Sequence, residues 1–87
     1  MVLVLLPALL AAEASGRNEF DIPADCVGDA LRALPIADLL LDERGELRSL
    51  VNVYVDGVDM RESGGLDEPV SGEQTVRIVA AIAGGRG

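Results

Sequence analysis

The sequence predicts an α+β domain, a mixed sheet of four to five strands packed on one main helix. Runs of β-branched and aliphatic residues, alternating or continuous, recur at 2–6, 17–22, 50–55 and 75–82, each bounded by glycine, proline or charged turns. One stretch is spaced differently: Val27, Ala30, Leu31 and Leu34 fall on one face of a helix. A length of 87 residues suits a single domain with one core, and a hydrophobic fraction of 49% can fill it. Only Phe20 and Tyr54 are aromatic, so aliphatic side chains must supply most of that core.

In chain order, Val2 to Leu6 reads as a strand apolar on both faces, as expected of a central strand in a covered sheet, and Pro7 ends it. The run to Ala12 imitates a signal-peptide core, and Ala12-Glu13-Ala14 a small-x-small cleavage site. The first basic residue is only Arg17, however, and the run falls well short of the ~20 apolar residues of a membrane span. Residues 8–14 are expected to form a short helical turn. After Gly16 the alternation returns, with Phe20 and Ile22 on one side and Glu19 and Asp21 on the other, which predicts a half-exposed strand hairpinned to the first. Asp25 is the expected N-cap of the main helix, Asp29 and Arg32 face water, and Pro35 stops it. Gly28 within that helix costs about 1 kcal/mol relative to alanine, so something must pack close against it. Cys26 is read as a packing residue at the helix start.

Ile36 to Leu41 is expected to be a helical turn or a loop capping the core, and residues 42–46 a charged turn. Asp42 with Glu43, and Asp67 with Glu68, are solvated pairs, since catalytic carboxylates need a desolvated cleft that separates their pKa values. Leu50 to Val55 is the clearest strand. Asp56-Gly57 is a tight hairpin signal and Val58 to Met60 the short return. The glycine-rich stretches 63–66 and 68–73 lack the strand-loop-helix setting and the lysine of a phosphate cradle, and read as turns. In the last strand, 75–82, Val76, Ile78, Ala80 and Ile82 alternate with Arg77, Val79 and Ala81. Gly84 and Gly85 then follow without side chains, able to enter a slot that any Cβ would block. The body is therefore assigned to 1–83 and a tail to 84–87.

Seven arginines, no lysine and fifteen carboxylates give a net charge of −8. That charge disfavours nucleic acid and anionic membranes and suits a protein partner with a basic face, while also serving solubility. A lone Cys26 and no histidine leave neither an internal disulfide nor the usual zinc spacings, and a reducing, cytoplasmic location is expected. Without lysine the chain has no side-chain amine on which an isopeptide could form.

Two hairpins flanking a helix, followed by a strand with a free Gly-Gly end, describe a β-grasp, ubiquitin-like sheet. Leu47 to Arg61 with its Val51-Asn52-Val53-Tyr54-Val55 core, Ser63-Gly64-Gly65-Leu66, and Val76 through Ala83-Gly84-Gly85 resemble the MoaD/ThiS sulfur-carrier proteins. Within them the chain looks closest to the carrier of thiocarboxylate-dependent cysteine biosynthesis. Val2 to Pro7 and Val27 to Leu31 extend the resemblance over most of the sequence. It implies a carrier rather than an enzyme, with no cofactor of its own. An E1-like partner would adenylate the terminal glycine with ATP, a sulfur donor would convert it to a thiocarboxylate, and a sulfur-accepting biosynthetic enzyme would take the sulfur. On this reading Gly85 is the adenylation site, and Val53, Val55, Ile78, Ala80 and Ile82 are the expected docking residues. The sequence departs from the family pattern at Glu62 and Ala80, and in Arg86-Gly87, an extension that relatives remove with a zinc-dependent JAMM-type peptidase. A ubiquitin-like modifier joined through the same glycine, and a plain binding module with an inert tail, are the competing readings.

Overall fold

A computed structural model describes residues 1–80. The strands are β1 (Val2–Leu5), β2 (Glu19–Ile22), β3 (Val51–Val55), β4 (Val58–Asp59) and β5 (Thr75–Ala80). They form one sheet in the order β2-β1-β5-β3-β4, so the last strand lies in the middle. Pairing is antiparallel except between β1 and β5, which run parallel with Leu3 opposite Thr75 and Leu5 opposite Arg77. Three short helices, α1 (Ala8–Glu13), α2 (Val27–Arg32) and α3 (Ala37–Leu40), complete the fold with 3-10 turns at Met60–Glu62 and Gly65–Asp67. The order of strands and main helix is the expected one; the two 3-10 turns fall in and beside stretches read as a strand end and loops.

The core forms because one phase of each strand's alternation is apolar. Val2, Val4, Val53, Val76 and Ile78 meet Val27, Leu31 and Leu40, and all eight are essentially inaccessible to solvent. Burying a side chain of this size is worth roughly 1.5–3 kcal/mol, so this layer is the main stabilising term. The helical layer is less concentrated than expected. Pro23 and Pro35 bracket α2, which spans only Val27–Arg32, and α1 and α3 share the covering with Leu10, Ala11 and Leu40.

Asp25 is not the cap of α2. Cys26 holds that position without a side-chain capping bond, and the Asp25 carbonyl instead accepts from the amide of Val70 at 3.0 Å. That bond, with Val27 N–H donating to the Glu68 carbonyl at 3.0 Å, fastens the helix start to the segment leading into β5. The expected close packing at Gly28 is present: a Cβ there would lie 3.1 Å from the Leu66 carbonyl oxygen and equally near the Arg32 guanidinium.

The β3–β4 turn has positive φ at both central residues, 52° at Asp56 and 87° at Gly57. That is the backbone a two-residue hairpin needs to match strand twist. Asp56 also accepts from the Thr75 amide through its carboxylate and donates its own amide to the Thr75 carbonyl, both at 3.0 Å, so the turn anchors the start of β5. Space around Gly57 is open. Gly57→Ala should therefore destabilise the domain by about 1 kcal/mol through left-handed backbone strain alone, read as a lower urea midpoint with unchanged slope.

Candidate functional site

The geometry of interest is the open face of the sheet and the end of β5, where the chain leads on toward its diglycine. Alternation decides which side chains are available there. Val53, Val55 and Ile78, expected as docking residues, point at the helices and are buried, Val53 completely. They are corrected to core residues: a partner could reach them only by displacing α2 and α3. The misassignment arose from phase, since an apolar strand face marks burial, and in a sheet covered on one side that burial faces the protein's own helices. Ala80 is partly buried against the rim of the core. Ile82, Gly84, Gly85, Arg86 and Gly87 lie outside the described residues.

The opposite phase forms a surface. Register places Glu19 across from Leu5, Leu5 across from Arg77, Arg77 across from Tyr54 and Tyr54 across from Asp59. This single row crosses all five strands with an acid at each edge, a cation on the central strand and apolar bodies between. Leu3 and Leu5 are half-buried on this face, so the both-sided apolar character of β1 reflects a sheet covered on one side only. Val79, opposite Asn52, adds an exposed apolar group nearer the end of β5. Beside it Arg61 donates to the Asn52 side-chain oxygen at 2.6 Å and to the Val51 carbonyl at 3.0 Å, fixing the start of β3 next to Ala80. Nothing in strand periodicity singles out Arg61, because its contacts are non-local.

On the helix side, at the same end, a groove of about 610 Å³ lies between α1, α3 and the Ser49–Val51 segment, with Ala80 in its wall. Leu9, Leu39 and Leu50 line it and are exposed. Arg48 stands between this groove and a polar depression formed by Asp38, Asp42 and Arg44, its Nε donating to the Asp38 carbonyl at 3.1 Å. The Arg44 ion pairs with Asp42 and Glu46, at 3.8 and 3.7 Å, are exposed and contribute little. Asp42 has a different task. The Glu46 amide and then the Arg44 amide donate to its carboxylate, and the Glu46 bond chiefly holds that carboxyl below the ordinary range. Asp29 is lowered likewise, chiefly by its bond from Arg32. Among the described residues no group of three or more His, Cys, Asp or Glu is placed to hold a metal ion, and no helix is long and apolar enough to cross a membrane.

A five-stranded mixed sheet with its final strand central and its helices on one side is the β-grasp arrangement of ubiquitin-like proteins. No family profile matches the chain. The sulfur carrier protein CysO of Mycobacterium tuberculosis (strain ATCC 25618 / H37Rv) is 32% identical over 91 residues, covering 97% of this chain and 98% of that one. The chain belongs to the CysO family of sulfur carrier proteins, ubiquitin-like carriers rather than enzymes. The crystal structure of M. tuberculosis CysO superposes with a TM-score of 0.84 at 29% identity, over 94% of this chain and 100% of that one. A chain of the Amycolatopsis orientalis BexX/CysO complex gives 0.81 at 28%, covering 95% and 98%. SAMP1 from Haloferax volcanii gives 0.72 at 27%, covering 94% and 96%.

Two outcomes follow from this geometry. Ile78→Ala should cost about 2–4 kcal/mol in chemical denaturation, whereas Val79→Ser, one residue on and facing outward, should stay within about 0.5 kcal/mol. Equal effects would overturn the assignment of faces. For Asp42 the folded carboxyl titrates below its unfolded value, so its stabilising contribution is present above the unfolded pKa, near 4, and is lost as pH falls through the folded one. NMR titration of the Asp42 carboxyl carbon should give a midpoint below that of Asp42 in the urea-unfolded chain.

Proposed function

We propose that the chain carries sulfur as a thiocarboxylate on Gly85. What chiefly supports this is membership of the CysO family, together with a side-chain-free Gly84-Gly85 placed a short, bounded distance beyond the central strand. An E1-like enzyme joins the Gly85 carboxylate to the α-phosphate of ATP and releases pyrophosphate. Sulfide then attacks the acyl carbon, AMP leaves, and the thiocarboxylate remains. A carboxylate is a poor electrophile and AMP a good leaving group, which is why ATP is spent. The body of the domain performs none of these bond changes; it is the handle by which partners align the tail.

The handle is the open face. Leu3, Leu5, Tyr54 and Val79 supply the apolar contact, and Arg77 sits among them. The surrounding acids speed encounter with a basic partner in a salt-dependent way. As encoded, Gly85 is held in a peptide bond to Arg86, so hydrolysis by a JAMM-type zinc peptidase precedes activation. The sulfur-accepting enzyme belongs to cysteine, molybdopterin, thiamine or sulfur-containing secondary metabolism, and the setting is cytoplasmic. The likeness to SAMP1, another protein of this name being titled a small archaeal modifier protein, favours one second reading, conjugation of the same glycine to a target amine.

The deciding experiment compares the 87-residue chain with one ending at Gly85, each incubated with a purified E1-like enzyme, ATP and sulfide. Intact mass should show replacement of one oxygen by sulfur on the shorter chain alone, and the peptidase should rescue the longer one. Loading of the longer chain with Arg86 and Gly87 retained would refute the assignment to Gly85. Accumulation of protein conjugates in place of the thiocarboxylate would select the modifier reading.

A further inference from the structure

Arg77 differs from the other arginines of the described residues. Arg17 lies over the Phe20 ring, Arg32 pairs with Asp29, Arg44 pairs with Asp42 and Glu46, and Arg48 and Arg61 donate to backbone carbonyls. Among the described residues Arg77 forms no ion pair and no side-chain hydrogen bond, although the chain holds fifteen carboxylates.

Register explains the isolation. On the outward face Arg77 is flanked by Leu5 on β1 and Tyr54 on β3, both half-buried, with Thr75 and the exposed Val79 along its own strand. The acids of this face stand farther out. Glu19, opposite Leu5, and Asp59, opposite Tyr54, are each two strands away, roughly 10 Å at the usual strand spacing. The Asp59 carboxylate accepts from the Arg61 amide at 2.8 Å, and that of Asp56, in the turn, from the Thr75 amide at 3.0 Å. The face thus has a positive centre, an apolar ring and a negative edge, in a chain whose net charge is −8.

Docking on this face has two electrostatic consequences. At long range the net charge attracts a basic surface. At contact, water is stripped from the apolar ring and from Arg77, and a desolvated guanidinium is costly unless an acceptor replaces that water. A carboxylate fits best, because it meets the planar fork with two parallel hydrogen bonds and balances the charge. A uniformly basic partner would instead press a like charge on Arg77.

We infer that the protein partner of the open face, on the reading above the E1-like activating enzyme, presents a carboxylate side chain to Arg77 at the centre of the contact, inside a basic rim that meets the outer acids. This rests on the open face being the handle and not on the fate of Gly85.

The test is binding of the 87-residue chain to the purified E1-like enzyme without ATP, for wild type, Arg77→Glu, Arg77→Lys and Val79→Ser. Arg77 is exposed, so its substitutions should leave the urea midpoint in place. Arg77→Glu makes the chain more acidic, and a merely basic partner face would bind it more tightly. A central carboxylate predicts the opposite sign, a loss of about 100-fold that persists at about 1 M salt because the contact is desolvated. Arg77→Lys, which keeps the charge without the fork, should fall between. Among charge-reversed variants of the enzyme's own carboxylates, one should restore binding of Arg77→Glu about tenfold while weakening that of wild type.

Val79→Ser separates the two readings. If it weakens binding while Arg77→Glu binds as well as wild type or better, the face is the handle but the carboxylate is refuted. A loss with Arg77→Glu that no enzyme variant rescues would refute it too, since the acceptors would then be carbonyl oxygens. Binding unchanged by all three substitutions would overturn the handle and this inference together, and would leave sulfur loading at Gly85, read by mass, unaffected.

Discussion

The parallel pairing of β1 with β5 is the constraint on which the rest depends. Parallel neighbours need a long crossover, and here nearly the whole chain, from α1 through the turn at 71–74, is that connection. Since β1 pairs with one edge of β5 and β3 with the other, the last strand is gripped on both edges. On the proposed reading, the tail that a partner would activate therefore starts from a central strand paired along both edges. Hydrogen bonds from the Asp56 turn at the start of β5, and Arg61 binding the start of β3 beside its end, hold that strand's level against its neighbours.

Much of this was legible in the sequence because period-two alternation and turn chemistry are local. The strand at 51–55, the Asp56-Gly57 hairpin and the existence of a final strand from residue 75 could be read from residue type alone, and the diglycine was recognisable by its missing side chains. The face was not. Periodicity shows that Val53, Val55 and Ile78 share a side, but which side meets the helices depends on where α2 and α3 pack, a tertiary matter. The Asp25 cap failed for a related reason. Its backbone is committed to Val70, more than forty residues away, and a non-local strand-like bond displaced the local capping preference.

The two faces of the sheet differ sharply in burial. Inward residues are aliphatic and interlocked, so the body tolerates little change there, whereas the outward row from Glu19 to Asp59 contributes little packing and can vary with the partner. If partners dock on the open face as proposed, this division lets them do so without disturbing the core. A core serving also as an interface would have to open for each of them, at a cost of several kcal/mol in a domain whose whole stability is about 5–15 kcal/mol.

The same economy bears on the charge. All seven basic residues are arginines, and of those in the body several are engaged: Arg61 with the β3 backbone, Arg48 with a carbonyl of α3, Arg32 with Asp29, and Arg17 over the Phe20 ring at 4.3 Å. Arginine's planar fork makes such directed contacts while remaining protonated and weakly nucleophilic, whereas lysine would bring a reactive amine to each place. Were Gly85 activated as proposed, these fixed cations would not compete for it as lysine amines would. The acidic excess then falls on side chains that, as carboxylates, are poor traps for an acyl adenylate in water. On the proposed reading, the choice of arginine over lysine thus supplies positive charge without adding a nucleophile to the carrier.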